Sequence, residues 1–267
     1  MGNQDEFPLA AGIFGHMKIL QSRVNELGDW PKGVVRFEYP QLNGVGFFPA
    51  AKGVYGVDRE PLRDIPVGGV LALGHDWGTV QDYNDCLRRD AENIGGNATW
   101  RNMTRFFACV EIDLRTVYFT NFFIGLREGP SSTGEFPGNK FPLAKNNDSY
   151  VAACQELVLK QIIAQRPKLL IVYGAYLPKL MAPLAGKLND WSKFNGFQGL
   201  DKGGNQLIDD VVFEFGGTSH TSTVVSLVHP CYRQRTAQYR SWTNIHGIQF
   251  TGDAAEQAMV HQAWVNR

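Results

Sequence analysis

No two of the four cysteines, Cys86, Cys109, Cys154 and Cys231, stand at C-x-x-C spacing. That excludes the common structural-zinc and dithiol signatures, so no metal is expected, and it suits reduced thiols in a cytosolic chain. No run approaches the roughly 18 apolar residues that span a bilayer. Met1 to Phe7 lacks the basic start and apolar core of a secretion signal. Glu6 stands where a myristoylation motif wants Ser or Thr, so Gly2 is not read as lipidated. Net charge is missing too, because 26 Lys and Arg balance 26 Asp and Glu. A neutral chain does not adhere to nucleic acid or membrane by bulk electrostatics, so polyanion binding needs a local patch. The expectation is a cytoplasmic protein, monomeric, with no membrane partner.

What is present is a core. Hydrophobic residues make up 43% and charged residues 19% of 267, the balance of a globular chain of a size that one α/β domain can reach. Residues 69 to 78, Gly-Val-Leu-Ala-Leu-Gly-His-Asp-Trp-Gly, organise the rest. Val70 to Leu73 is a short apolar run that stops abruptly at Gly74, as a parallel strand buried on both faces does. Ligands of open α/β sheets bind just beyond the carboxyl ends of such strands. Asp76 lies there, between two glycines that let the backbone turn sharply.

Ahead of that strand, Ile13 to Leu27 has helical spacing closed by Gly28, and Val34 to Tyr39 and Val45 to Phe48 read as short strands or extended loop. Thr116 to Thr120 reads as a strand ending at Asn121, followed by a Gly/Pro/Ser-rich loop from Gly129 to Pro142. Asp148 or Ser149 caps a helix that Arg166-Pro167 closes. Leu169 to Tyr173 is another buried strand, and Gly174 opens a helix to about Leu184. Lys187 to Gly204 is loop-like. Val211 to Phe215 and Thr223 to Val228 are strands, and Asp253 to Val265 is a terminal helix. Strands alternating with helices imply a largely parallel sheet. Asp76, Asn121, Gly174 and His229 each follow a strand, so all four fall on one edge of it. An acid, an amide and an imidazole gathered there make a candidate site.

Here the sequence resembles the uracil-DNA glycosylase superfamily. Gly74-His75-Asp76-Trp77-Gly78 is similar to the family's G-Q-D-P-Y or G-E-x-P-G motif. Val117-Tyr118-Phe119-Thr120-Asn121 resembles the V-Y-I-T-N of the thermophilic-type branch, and His229-Pro230-Cys231-Tyr232 its H-P-S-Y. Cys154 through Gln161, Arg166-Pro167-Lys168 and Gly174-Ala175 match that branch as well. Motif order and spacing agree over residues 67 to 235. The resemblance implies a three-layer α/β sandwich around a mostly parallel four-stranded sheet, with residues 1 to 65 as an extension packed on it. It departs at the iron–sulfur cysteines. Cys154 alone remains, Gly125 stands where another would be, and one thiol cannot hold a cluster that takes four ligands. No cofactor is expected.

The resemblance also assigns roles. Such an enzyme everts a nucleotide from DNA, single- or double-stranded, and hydrolyses its N-glycosidic bond to leave an abasic site. Asp76 would stabilise the cationic sugar and orient water, while His229 would donate to the base oxygen as it gains charge, worth about 3–4 kcal/mol. Asn121 would bond the Watson–Crick edge. Trp100 is the expected stacking ring, with Tyr83 the second choice, and Trp77-Gly78 replaces the Pro-Tyr pair that walls off pyrimidine C5. Gly78 thereby suggests room for uracil or a 5-substituted cytosine, including glucosylated hydroxymethylcytosine of phage DNA, hence a possible role in phage defence. Apart from the resemblance, Tyr232, Arg233, Arg235 and Arg240 interleave rings and cations just after His229, a composition that suits a loop gripping DNA.

Two rivals stand beside this reading. G-H-D-W-G also fits the nucleophile elbow of epoxide hydrolases, with Asp76 attacking carbon and His246 or His261 activating water. Against that, the oxyanion segment H-G-x-P is missing upstream and Val80 to Asp90 is too polar for the buried helix an elbow requires. The other rival is a non-catalytic DNA-binding module on the same fold.

Overall fold

The computed structural model describes residues 31, 33–35, 67–76, 78–82, 84, 98–128 and 148–265. The expected helix at 13–27, the 45–48 segment, the 129–142 loop, and Trp77 and Tyr83 lie outside the described residues.

Nine strands occur among them: β1 (Val34–Val35), β2 (Val70–Gly74), β3 (Val117–Asn121), β4 (Leu126–Arg127), β5 (Leu169–Tyr173), β6 (Leu207–Phe215), β7 (Thr218–Leu227), β8 (Ser241–Thr243) and β9 (Gln249–Thr251). The helices are α1 (Ala98–Cys109), α2 (Asp148–Gln165), α3 (Leu177–Met181), α4 (Gly196–Lys202), α5 (Arg233–Thr236) and α6 (Gly252–Val265). The central sheet runs β3-β2-β5-β7-β6. Its first four strands are parallel, and β6 joins β7 as an antiparallel edge. This corrects the expectation of a four-stranded sheet: two glycines, Gly216 and Gly217, both at positive φ, turn β6 into β7 as a hairpin.

The continuous apolar runs follow from burial on both faces. Successive strand residues point to opposite sides. Val70 and Ala72 join one hydrophobic cluster with Trp100, Met103 and Phe107 of α1 and Met259 and Val260 of α6. Leu71 and Leu73 join another with Cys154, Leu157, Val158 and Ile162 of α2. Helices therefore cover both faces of the sheet. Each fully buried Val or Leu contributes about 1.5–3 kcal/mol, so a polar residue in the middle of β2 would be costly on either side.

Lys187 to Gly204, expected as loop, contains a 3-10 segment at Gly186–Lys193 and then α4. Leu188, Trp191 and Leu200 are buried there, so packing on the α2 side orders a stretch with weak local signals. No helix among the described residues is long and apolar enough to cross a membrane.

Candidate active site

The parallel register brings the sequence-predicted residues to one edge. Gly74, the last residue of β2, lies opposite Asn121, the last of β3. Past these ends the chains stay tied, because Phe122 N–H donates to Gly74 O at 2.9 Å and Phe123 N–H to His75 O at 3.0 Å. Two strands away, Leu227 ends β7, and His229 follows by two residues, as Asp76 follows Gly74. Gly174, between them at the end of β5, has φ 99°. A Cβ there would stand 3.9 Å from that of His229.

Asp76 is held from three directions. Its Oδ2 lies 2.6 Å from His75 Nδ1, and its Oδ1 accepts from Gly78 N–H at 2.7 Å and faces Arg127 Nε at 3.3 Å. Burial alone would raise the carboxyl's pKa. The His75 hydrogen bond and charge, Arg127 and the Gly78 N–H outweigh it and bring the pKa down to about 2. Such a carboxylate is a weak base and a persistent anion.

His229 has the opposite character. Burial lowers its pKa to about 4, helped by His75 and resisted by the Asp76 carboxylate, whose field reaches the imidazole. The ring is therefore neutral at physiological pH. Its Nδ1 accepts from Cys231 N–H at 3.3 Å and sits 2.9 Å from Cys231 Sγ. Burial pushes the Cys231 thiol up to about 11, so it stays protonated. An Nδ1 that accepts leaves the single proton on Nε2, which makes His229 a neutral Nε2–H donor.

Asn121 is buried at the same edge. Gly78 is buried with φ 84°, and a Cβ there would meet Asp82 Cβ at 3.4 Å. Asp82 belongs to a capping box: it accepts from Thr79 N–H and Oγ1, while its own N–H donates to Thr79 Oγ1. The glycine thus serves the turn that aims Gly78 N–H at Asp76. The space beside it is filled by Asp82 and does not by itself open room for a C5 substituent. Gly78→Ala is expected to cost about 1–2 kcal/mol from the left-handed backbone alone, read as a lower unfolding midpoint.

Three expected site residues have other work. Trp100 is 0% exposed, its ring edge-on to Phe119 at 5.2 Å within the α1–sheet core, so it cannot stack on a base. Arg233 is 7% exposed and pairs with Glu256 at 2.7 Å and Asp253 at 3.1 Å, its guanidinium 4.2 Å over Phe106. Arg240, 1% exposed, donates to Asp201, to Glu256 Oε1 at 2.6 Å and to Ser226 O at 3.0 Å. Both guanidiniums are engaged by carboxylates inside the fold. Together with Glu256, which also accepts from Val228 N–H at 2.8 Å, they clamp the loop that carries His229. Asn102 Nδ2 completes the clamp, donating to Pro230 O at 2.7 Å. Arg235 and Tyr232 of that loop are exposed.

The sequence reading missed His75 and Arg127 as partners of Asp76. The only signal for the first was adjacency, because neighbouring side chains normally diverge and it takes this turn to bring His75 Nδ1 to 2.6 Å from Asp76 Oδ2. For Arg127, which arrives from β4 with its N–H on Gly78 O at 2.9 Å, there was none. Cys154 is buried, its thiol pushed up to about 12 by burial, and no group of three His, Cys, Asp or Glu among the described residues is placed to hold a metal. No protein-family model matches this chain, and no curated protein matches it.

Proposed function

We propose that this protein is a monofunctional DNA glycosylase that hydrolyses the N-glycosidic bond of an everted damaged or modified pyrimidine, such as uracil or a 5-substituted cytosine. The observation that carries the reading is one persistent anion and one neutral imidazole donor within each other's field, beside a buried carboxamide, at the ligand-binding edge of the sheet. Glycosidic cleavage puts positive charge on the sugar and negative charge on the departing base. Asp76 would oppose the first and leave one acceptor site for water, three of about four being taken by His75, Gly78 and Arg127. His229 would meet the second without first losing a proton. Asn121 would read the base edge. The motif resemblance, with its order kept from residue 67 to 235, points the same way.

The epoxide-hydrolase reading is weaker in this setting. Asp76 is not among the residues at positive φ, whereas an elbow nucleophile sits on a strained turn. His246 and His261 line a cleft with Cys109 at the far end of α1 that Asp76 does not share.

A panel of oligonucleotides, each with one altered pyrimidine, tests the proposal through alkali-labile abasic sites. Binding without lability would favour the module, and turnover of an epoxide the hydrolase. The pH profile tests the role of His229. Its pKa is lowered in the fold, so the neutral form exists above about 4 and is lost below it. Excision should rise through about pH 4 and then stay flat to neutrality. A cationic acid at this position would give the reverse, falling as pH rises through 4. Stability carries the same sign, because the unfolded chain binds the proton first: it should fall as pH drops from 6.5 towards 4.

A further inference from the structure

We propose that the rim of this site is a docking surface for single-stranded DNA, gripped by the rings of Tyr176 and Tyr232 rather than by a cluster of arginines. The inference rests on reading the site as one that takes a nucleobase. Tyr176 is 50% exposed with its ring centroid 6.2 Å from His75, and Tyr232 is 56% exposed with its ring 5.9 Å from His229. His75 lies 2.6 Å from Asp76, so one solvent-facing ring lies beside the residue that holds Asp76 and the other beside His229 itself.

Both rings are carried on backbone that is already fixed. Tyr176 is the N-cap residue of α3, two residues past the Gly174 turn whose N–H donates to Leu227 O. Tyr232 closes a 3-10 turn, its N–H donating to His229 O at 2.9 Å, and the Arg233 clamp follows directly. Ordering such rings against a ligand costs little, and every base offers a face to stack on, so this grip tolerates any sequence.

Among the described residues, the arginines exposed around this loop favour single strand over duplex. A duplex hides its base faces and offers phosphates. The two loop arginines that would meet phosphates, Arg233 and Arg240, are buried in carboxylate pairs. Among the described residues the loop and the helix holding it retain Arg235, Arg101 and Arg105 as exposed arginines. Three phosphate contacts on a single strand give a plot of log K against log salt a slope of only about −2. Stacking then carries a large share of the affinity, and stacking needs unpaired bases.

The test is fluorescence anisotropy with the full-length wild-type chain and a labelled 15-nucleotide strand of unmodified bases, alone or annealed to its complement, from low to moderate salt. The single strand should bind about ten-fold tighter than the duplex. Tyr176→Ala and Tyr232→Ala should each lose about ten-fold, and the corresponding Phe variants should regain it, because a phenyl ring stacks as a phenol does. Both tyrosines are exposed, so the variants should melt like wild type. A strand preference below three-fold, or alanine variants within three-fold of wild type, overturns the proposal; anything larger on both counts upholds it. Unmodified DNA has no base to excise, so the outcome is separate from that of the excision panel. A protein that prefers single strands yet releases no base keeps this surface and loses the glycosylase reading, and one that excises without strand preference does the opposite.

Discussion

Asp76→Asn is expected to reduce excision about 10²–10³-fold while leaving the fold intact. The amide has the shape of the carboxylate, and its oxygen can still accept from Gly78 N–H, so the turn survives. What goes is the charge. Removing one preorganised electrostatic partner of a transition state typically costs about 3–4 kcal/mol, the size of that rate loss. Arg127 and His75 lie against the carboxylate and draw on its field, so the net advantage is smaller than a lone anion would give. They also hold its pKa at about 2, which keeps the charge in place at any pH the protein would meet. A weak base of this kind orients water and opposes a cation; it does not need to take a proton before the bond breaks. Single-turnover excision from a uracil-containing oligonucleotide is the measurement. An Asn variant within three-fold of wild type would remove Asp76 from the mechanism.

The second large effect is on stability. Glu256→Ala should cost about 3–5 kcal/mol, because it strands Arg233 and Arg240 without their shared carboxylate and Val228 N–H without its acceptor. For a chain of this size that is a fall of about 10 °C in the unfolding midpoint. Glu256→Gln restores an acceptor for Val228 N–H but supplies no anion, so it should recover only a minor part. Asp190→Ala is the control. It removes an exposed ion pair with Lys193, worth less than about 1 kcal/mol, and should melt near wild type. A Glu256→Ala protein that melts within 2 °C of wild type, against that expected fall of about 10 °C, would mean that the buried cage does not hold the His229 loop.

The strand ends were legible because a parallel strand buried on both sides writes itself as an unbroken apolar run that stops where the sheet stops. Leu169–Tyr173 was expected at those bounds, and Asp76, Asn121 and His229 could be placed on one edge from topology alone. The helix Asp148–Gln165 was legible from the shared face of Cys154, Leu157, Val158 and Ile162 and from the Arg166-Pro167 stop. The edge strand β6 was in view as Val211 to Phe215, yet its antiparallel pairing depends on a two-glycine turn whose meaning appears only once β7 is extended back to Thr218. Arginines were the main failure. Arg233 and Arg240 sit in a polar segment that reads as surface, and the acids that bury them lie far off in sequence, on α4 and α6. Nothing local says that a loop arginine faces inward. Trp100 failed similarly, since the mixed stretch of α1 gives no sign of which face meets the sheet until Met103, Phe106 and Phe107 are seen packed beside it.

The central claim is that Asp76, Asn121 and His229 release a base. Mass spectrometry of the products from the altered-pyrimidine panel addresses it directly. A free base appearing in step with abasic DNA, with wild type but not with Asp76→Asn, is the predicted result. Intact oligonucleotide across the whole panel, with a folded wild-type protein, would contradict it.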